Sequence, residues 1–357
     1  MTGARRRVTQ QDIARMTGVS QATVSIVLNG RSDAGVKIAP ETRDRVLRAI
    51  AETGYVADPV ARRLAARHNR ILGVFTYEPV FPSGNSDFFH PFLVGIEQRA
   101  EALGCDLLLL TSAPVVDGRR RIFSHDNRLR LADGCVLLGR SLDREDLAKL
   151  VAYGLPFVSI GRRDDAGGPV PYVGADYATA VGQLVERAVG FGHRRLAYLG
   201  QGAGPESWVD RLRGFKDAVA ATRTQGIHVL PPGSDATLVP KARKAPERPS
   251  DVAQTLAVLT QAKVTAVLAE EHADGVALYH AARERGIALS VATLGEPTRA
   301  AAETTVEFTR VRIPRTDMGA QAVDVLTALI EQSATDAQRL LPCGIVAGET
   351  LVEHGRS

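Results

Sequence analysis

The sequence predicts an α/β chain in which a small head of three helices and a short connecting helix precede a larger, two-lobed core built on parallel sheets. Three observations carry this prediction. Two short helical periods flank a glycine-containing turn between residues 9 and 29, apolar strand-like runs alternate with helical stretches from residue 71 onward, and the alternation comes as two successive series. The head is expected over residues 8–57, the connecting segment over 58–70 and the core over 71–357. A chain of 357 residues with 45% hydrophobic content has ample apolar material for such a division.

Charge follows the same division. Residues 1–70 carry 13 Lys+Arg against 6 Asp+Glu, a net +7, so the whole-chain value of +4 leaves the remainder at −3. A cationic head on a mildly acidic body suits a phosphate-binding module, because neutralising phosphates releases counterions. A solubilising arm would carry the same charge. Cys105, Cys135 and Cys343 are far apart and form no paired motif, so neither a disulfide framework nor a zinc site is expected, which fits a reducing cytoplasm. The basic start MTGARRRVTQ leads into polar sequence, and no apolar run reaches the length of a membrane span.

In the head, Thr9 with Asp12 three residues on has the form of a capping box, and Ile13, Ala14 and Met16 recur at helical spacing until Gly18. Ser20 can cap a second helix whose inner face is Val24, Val27 and Leu28, while Gln21, Ala22, Ser25 and Ile26 face elsewhere; Asn29-Gly30 closes it. Two short helices joined in this way form a helix-turn-helix, whose second helix can enter a major groove. Pro40 suits the first turn of a third helix, Val46, Leu47 and Ile50 make its apolar stripe, and Gly54 sits at its C-terminal cap. In ADPVARRLAARHNR, Asp58 can cap and Pro59 can open a short helix beside the cluster Arg62, Arg63 and Arg67.

The runs VTQQDIARMTGVSQATVSIVLNG, APETRDRVLRAIAETGY and VARRLA resemble, in that order, the N-terminus of LacI-family repressors. The resemblance implies that Gln21, Ala22 and Ile26 point at base edges and that Thr9, Ser20, Thr23, Ser25 and Asn29 bond phosphates, although capping serves Ser20 as well. Gln21 can bond an adenine N6/N7 edge, whereas Ala22 and Ile26 offer only apolar contact, for instance to a thymine methyl. The resemblance further implies that the connecting helix, with Arg62, forms on DNA and wedges Leu64 into the minor groove. A plain linker with Leu64 packed on the core is the other reading.

In the core, the first series runs through RILGVFTY, FLVGIEQRAEALG, CDLLLLTS, CVLLG, REDLAKLVAYG and LPFVSIG, and the second begins near Val173. Their order resembles periplasmic sugar-binding proteins and the LacI-family core of the same fold. That resemblance implies a ligand cleft between lobes and crossovers near residues 172, 298 and 333, giving lobe 1 as about 71–172 and 299–333 and lobe 2 as about 173–298 and 334–357. The Pro-rich, charged stretch between Leu230 and Val252 reads as an exposed loop.

Arg211 matches the family arginine that binds effector hydroxyls or carboxylates, a task suited to a guanidinium fork. Trp208, the only tryptophan, is either a stacking wall or core. Tyr77, Ser86, Asp87 and Phe88 follow the first strand, where loops of α/β sheets meet ligands. Glu271-His272 stands where the family often has Asn-Asp, and Thr293-Leu294-Gly295-Glu296 stands for Gly-Phe-Asp-Asp, so His272 and Glu296 join the effector set while two customary carboxylates are missing or displaced. This predicts an effector other than a simple neutral sugar bound in the common way.

Enzyme signatures are weak. Gly200, Gly202 and Gly204 lack dinucleotide-loop spacing, His272 and His280 are too far apart for one helical metal face, and no nucleophile elbow is present. A nucleotide-cofactor enzyme is therefore the remote alternative; an activator, or a constitutive DNA binder with a degenerate sensor, is the nearer one. The expected partners are double-stranded operator DNA, a second copy of the chain in a homodimer, and a small-molecule effector such as a sugar derivative or another metabolite. No catalytic residue, cofactor, metal or membrane contact is expected.

Overall fold

A computed structural model describes residues 8–29, 38–55, 69–78, 86–111, 113–116, 119–123, 128–140, 142–234, 246, 249–297, 305–334 and 336–355. The chain divides into two compact units, residues 1–69 and 70–357. The connecting segment with Arg62 and Leu64 lies outside the described residues, as does most of the charged stretch after Leu230.

The first unit contains α1 (Gln10–Thr17), α2 (Gln21–Asn29) and α3 (Pro40–Thr53). Its helix ends follow the sequence signals. Thr9 and Asp12 form a reciprocal capping box, and Gly18 and Gly54 close α1 and α3 in the left-handed conformation at φ 68° and 61°, where a Cβ would be strained. Ile13, Ala14, Val24, Val27, Val46 and Ala49 form the core of the head. Two expected core positions differ: Met16 is 59% and Leu47 is 44% exposed. In α3 the inward stripe is carried by Val46 and Ala49 with Ile50, a rotation that hydrophobicity alone does not reveal because Leu47 adjoins Val46.

The second unit alternates strands and helices: β1 (Ile71–Thr76), α4 (Ser86–Ala102), β2 (Asp106–Leu110), the short antiparallel pair β3 (Val115–Val116) and β4 (Arg119–Arg120), β5 (Gly134–Leu138), α5 (Arg144–Tyr153), β6 (Phe157–Ile160) and β7 (Tyr172–Asp176). It continues with α6 (Tyr177–Gly190), β8 (Arg195–Leu199), α7 (Glu206–Ala221), β9 (Gln225–Val229), α8 (Val252–Gln261), β10 (Ala266–Ala269), α9 (His272–Glu284) and β11 (Ser290–Thr293). The last elements are β12 (Thr309–Arg312), α10 (Arg315–Ile330), β13 (Gln338–Pro342) and β14 (Gly344–Val346). One sheet has the order β13-β7-β6-β5-β1-β2 and the other β14-β12-β11-β10-β8-β9. All pairings in them are parallel except β14, which runs antiparallel to β12.

Strand alternation divides the apolar residues between the two faces of each sheet. In β1, Leu72 and Val74 pack with Phe92, Ile96 and Val323 on the side of α4 and α10, while Phe75 packs with Leu137 and Leu147 on the other. In β8, Leu196 and Tyr198 face Phe215, whereas Ala197 and Leu199 face Leu278 and Val291. Burial of each of the valine, leucine, isoleucine and phenylalanine side chains among these contributes about 1.5–3 kcal/mol.

The chain passes between sheets later than expected each time. Residues 172–176 form a strand of the first sheet, so the first passage follows Asp176. β12 belongs to the second sheet while α10 packs on α4, which moves the second passage from near 298 to 313–314. β13 rejoins the first sheet and β14 the second, so the third passage is at Cys343 rather than near 333. Periodicity identifies a strand but not its neighbour, which is chosen by long-range pairing.

α4 and α10 cross at backbone contact. A Cβ on Gly95 would lie 1.9 Å from the Thr316 carbonyl oxygen, and one on Gly319 would lie 2.2 Å from that of Phe92. The segments around VGIEQRAEAL and TDMGAQAVDVLTALI are expected to supply a dimer face, yet Ile96, Met318, Ala322, Val323, Val325 and Leu326 are buried within their own lobe.

Candidate functional site

In the head, burial of Val24 and Val27 fixes the rotation of α2 and leaves Gln21 and Ala22 exposed at its start, with Ser25 and Ile26 half-buried. The Ser20 hydroxyl accepts from the Thr23 N–H at 3.1 Å and shares a hydrogen bond with the Thr23 hydroxyl at 2.9 Å. Gln21 Nε2 donates to Gln10 Oε1 at 3.4 Å, which links the starts of α1 and α2. The Arg45 Nε–H bonds the Thr17 carbonyl at 3.1 Å and ties α3 to the end of α1. The exposed start of α2 thus presents an amide and small apolar groups on a fixed three-helix frame. Thr9 uses its hydroxyl within the capping box, donating to Asp12 Oδ2 at 2.7 Å. The side chain of Asn29 lies outside the described residues.

In the second unit, the residues following the carboxyl ends of β5, β6 and β11 meet the starts of α4, α7 and α10 around a cleft, where open α/β sheets place ligands. Among the described residues, five arginines line it: Arg140, Arg162, Arg163, Arg211 and Arg315. Three of them reach from the first lobe to carboxylates of the second. Arg162 Nε lies 2.6 Å from Asp210 Oδ2, Arg163 Nη1 lies 2.9 Å from Glu206 Oε2, and Arg315 Nη2 lies 2.9 Å from Glu296 Oε2. Arg163 is only 4% exposed and also donates to the Gly139 carbonyl at 2.8 Å.

Aromatic faces complete the lining. The guanidinium of Arg211 stands 4.2 Å from the Tyr177 ring centroid, and those of Arg140 and Arg315 stand 4.6 and 5.0 Å from that of Phe88. Behind the cleft wall, Glu270 accepts from the Tyr198 hydroxyl and from the Gly202 N–H at 2.9 Å, and burial pushes its carboxyl above the usual range. The chemistry on offer is planar cationic donors, ring faces for stacking, and two carboxylates, Asp210 and Glu296, already committed to arginines.

Comparison with known proteins accords with both halves. Residues 9–58 match the model for bacterial regulatory proteins of the lacI family. Residues 79–242 match that for periplasmic binding proteins and the sugar binding domain of the LacI family, and residues 185–351 match a periplasmic binding protein-like domain. Among curated proteins, the HTH-type transcriptional regulator CelR of Thermobifida fusca is 30% identical over 94% of this chain and 96% of its own length. The chain belongs to the LacI family.

The HTH-type transcriptional regulator AscG of Escherichia coli K12 is 25% identical to this LacI-family chain, over 98% of it and 99% of AscG. A solved CelR–cellobiose complex is 27% identical with TM-score 0.55, covering 96% of this chain and all of that one. The lac repressor dimer bound to operator and the anti-inducer ONPF shares the fold at TM-score 0.72, with 24% identity over 97% of this chain and all of that one. As a LacI-family member the chain is a DNA-binding transcriptional regulator.

Of the effector residues read from the LacI-like sequence, Phe88, Trp208, Arg211 and Glu296 lie together on the cleft. Tyr77 does not. It is 1% exposed and continues the β1 alternation onto the far face, stacked edge-on to Phe75 at 4.9 Å. His272 does not either: it opens α9, turns inward so that Nδ1 lies 3.1 Å from the Thr293 hydroxyl, and packs on Phe308. The carboxylates following β10 are Glu270 and Glu271, one residue earlier, and Glu271 lines the cleft. Ser86 and Asp87 open α4, with side chains outside the described residues. Sequence reasoning missed Arg140, Arg162, Arg163, Tyr177 and Arg315. The doublet Arg162-Arg163 just beyond a strand's carboxyl end was the available signal.

Proposed function

We propose that this LacI-family regulator is a repressor that grips a near-palindromic operator as a homodimer, and that a small molecule in the core cleft sets the strength of that grip. The observation that carries the reading is α2, whose inner residues are consumed by the head's own core while Gln21 and Ala22 remain exposed at its start. The N-terminal residues of a recognition helix are those that meet base edges. We assign Gln21 to an adenine edge, Ala22 and Ile26 to thymine methyls, and Thr9, Ser20, Thr23, Ser25 and Asn29 to phosphates. Arg62 and Leu64 are assigned to a hinge contact in the minor groove. The chain acts by binding rather than by catalysis and works in the cytoplasm.

Selection of bound sequences from a random DNA pool by the purified full-length protein tests this reading. A palindrome with a flexible central step supports it, and absence of enrichment at moderate salt overturns it. Gln21→Ala is expected to weaken binding by about 1–3 kcal/mol and to relax preference at one base pair per half-site, read from competition with single-base operator variants. Leu64→Ala is expected to weaken specific binding more than nonspecific binding; equal losses would remove the wedge assignment.

For the sensor, a population shift requires the effector to favour one arrangement of the lobes by a coupling energy of about 1–3 kcal/mol. The cleft between the lobes and the cellobiose complex of CelR support this placement.

A further inference from the structure

We infer that the cleft takes a ligand bearing an oxyanion, a carboxylate or a phosphate, held by Arg211 and Arg140 with its body against Trp208 and Phe88. The inference rests on the cleft being the effector site. Its basis is which polar groups remain after the cleft satisfies itself. Arg162, Arg163 and Arg315 are neutralised by Asp210, Glu206 and Glu296. Among the described residues, Arg140 and Arg211 make no ion pair.

Arg211 is the more telling of the two. It is 6% exposed, and its Nε–H has no hydrogen-bond partner among the described residues. Stacking on Tyr177 offsets part of the cost of desolvating this cation but satisfies none of its in-plane donors. Glu270 and Glu271 lie close enough to act on it through space, but among the described residues neither forms an ion pair with it, and Glu270 Oε2 already accepts from the Tyr198 hydroxyl and the Gly202 N–H.

A neutral polyol needs acceptors as well as donors from its site, because every hydroxyl both gives and accepts. Here Asp210 and Glu296 are engaged and Gly295 has no side chain, which leaves the exposed Glu271 as the lining carboxylate without an ion pair among the described residues. Two planar forks against one unpaired lining carboxylate match a ligand dominated by acceptor oxygens. An oxyanion receives two parallel N–H bonds from a guanidinium, which a single hydroxyl cannot.

The test is calorimetric titration of the full-length protein with glucose, gluconate, glucose 6-phosphate and inorganic phosphate, each repeated on Arg140→Ala. Binding of gluconate or a phosphate, weakened about tenfold or more by Arg140→Ala and by raised salt, is expected. Arg140 is exposed, so its removal leaves the core folded; Arg211→Lys, which keeps the charge but not the fork, is expected to weaken the same compounds. Glucose binding as tightly as the anions with no effect of Arg140→Ala overturns the inference, as does failure of all three anions at millimolar concentration. Operator affinity, measured with each binder present, separates this from the effector reading. An anion that binds without altering operator affinity upholds the site and sinks the effector role, whereas a neutral binder that alters it does the reverse.

Discussion

Glu206→Ala is expected to cost the core about 3 kcal/mol, because removing one partner of a buried ion pair strands the other charge. Arg163 sits at 4% exposure with Glu206 as its carboxylate partner, and among the described residues its other hydrogen bonds go to the carbonyls of Gly139, Ile160 and Arg162. Urea unfolding should show a lower midpoint at unchanged m-value. The double variant Arg163→Met with Glu206→Leu should recover most of the loss, since apolar replacements of similar volume restore what an unpaired charge destroys. An unchanged midpoint in the single variant would show that water reaches the guanidinium. The pair also joins the loop after β6 to the start of α7, so the single variant should loosen the lobes against each other and raise susceptibility to limited proteolysis in the cleft loops.

Ile13→Ala is expected to cost the head about 3 kcal/mol. Ile13 is fully buried at the centre of a small cluster that includes Val24 and Val46. A unit of fewer than seventy residues has little stability in reserve, so operator affinity should fall by two orders of magnitude or more. The thermal transition of the core should stay where it is, because the head forms a separate compact unit. Fluorescence anisotropy on operator DNA and calorimetry on the same preparation give the two readings. Retained operator affinity would mean that DNA itself folds the head.

The head was almost fully legible because its signals are local. Capping box, glycine caps and N-terminal proline act within a few residues of where they stand, and Thr9, Gly18, Pro40 and Gly54 occupy the expected places. Met16 and Leu47 misled because an apolar residue beside a buried one looks identical in sequence. In the core, the strands were legible but their partners were not, and the three displaced crossovers follow from that. The cleft suffered most. Arg211, Trp208, Phe88 and Glu296 could be found, whereas Arg140, Arg162, Arg163 and Arg315 come from loops and a helix start that become neighbours only once both sheets are assembled. Tyr77 failed for the opposite reason, since one more step of strand alternation carried it to the far face.

The crossing of α4 and α10 turns the cleft into one end of a lever. Phe88 and Phe92 of α4 and Arg315 and Met318 of α10 line the cleft, and the helices touch backbone to backbone at Gly95 and Gly319. Further along, Arg99 Nε and Asp324 Oδ1 lie 2.6 Å apart. The close backbone approach at the crossing leaves no room for a side chain there, so a shift of one helix at that point presses directly on the other. The same two helices that end in the cleft at Phe88 and Arg315 run on to Ala102 and Ile330, which gives the near and far ends of the lobe one shared packing seam.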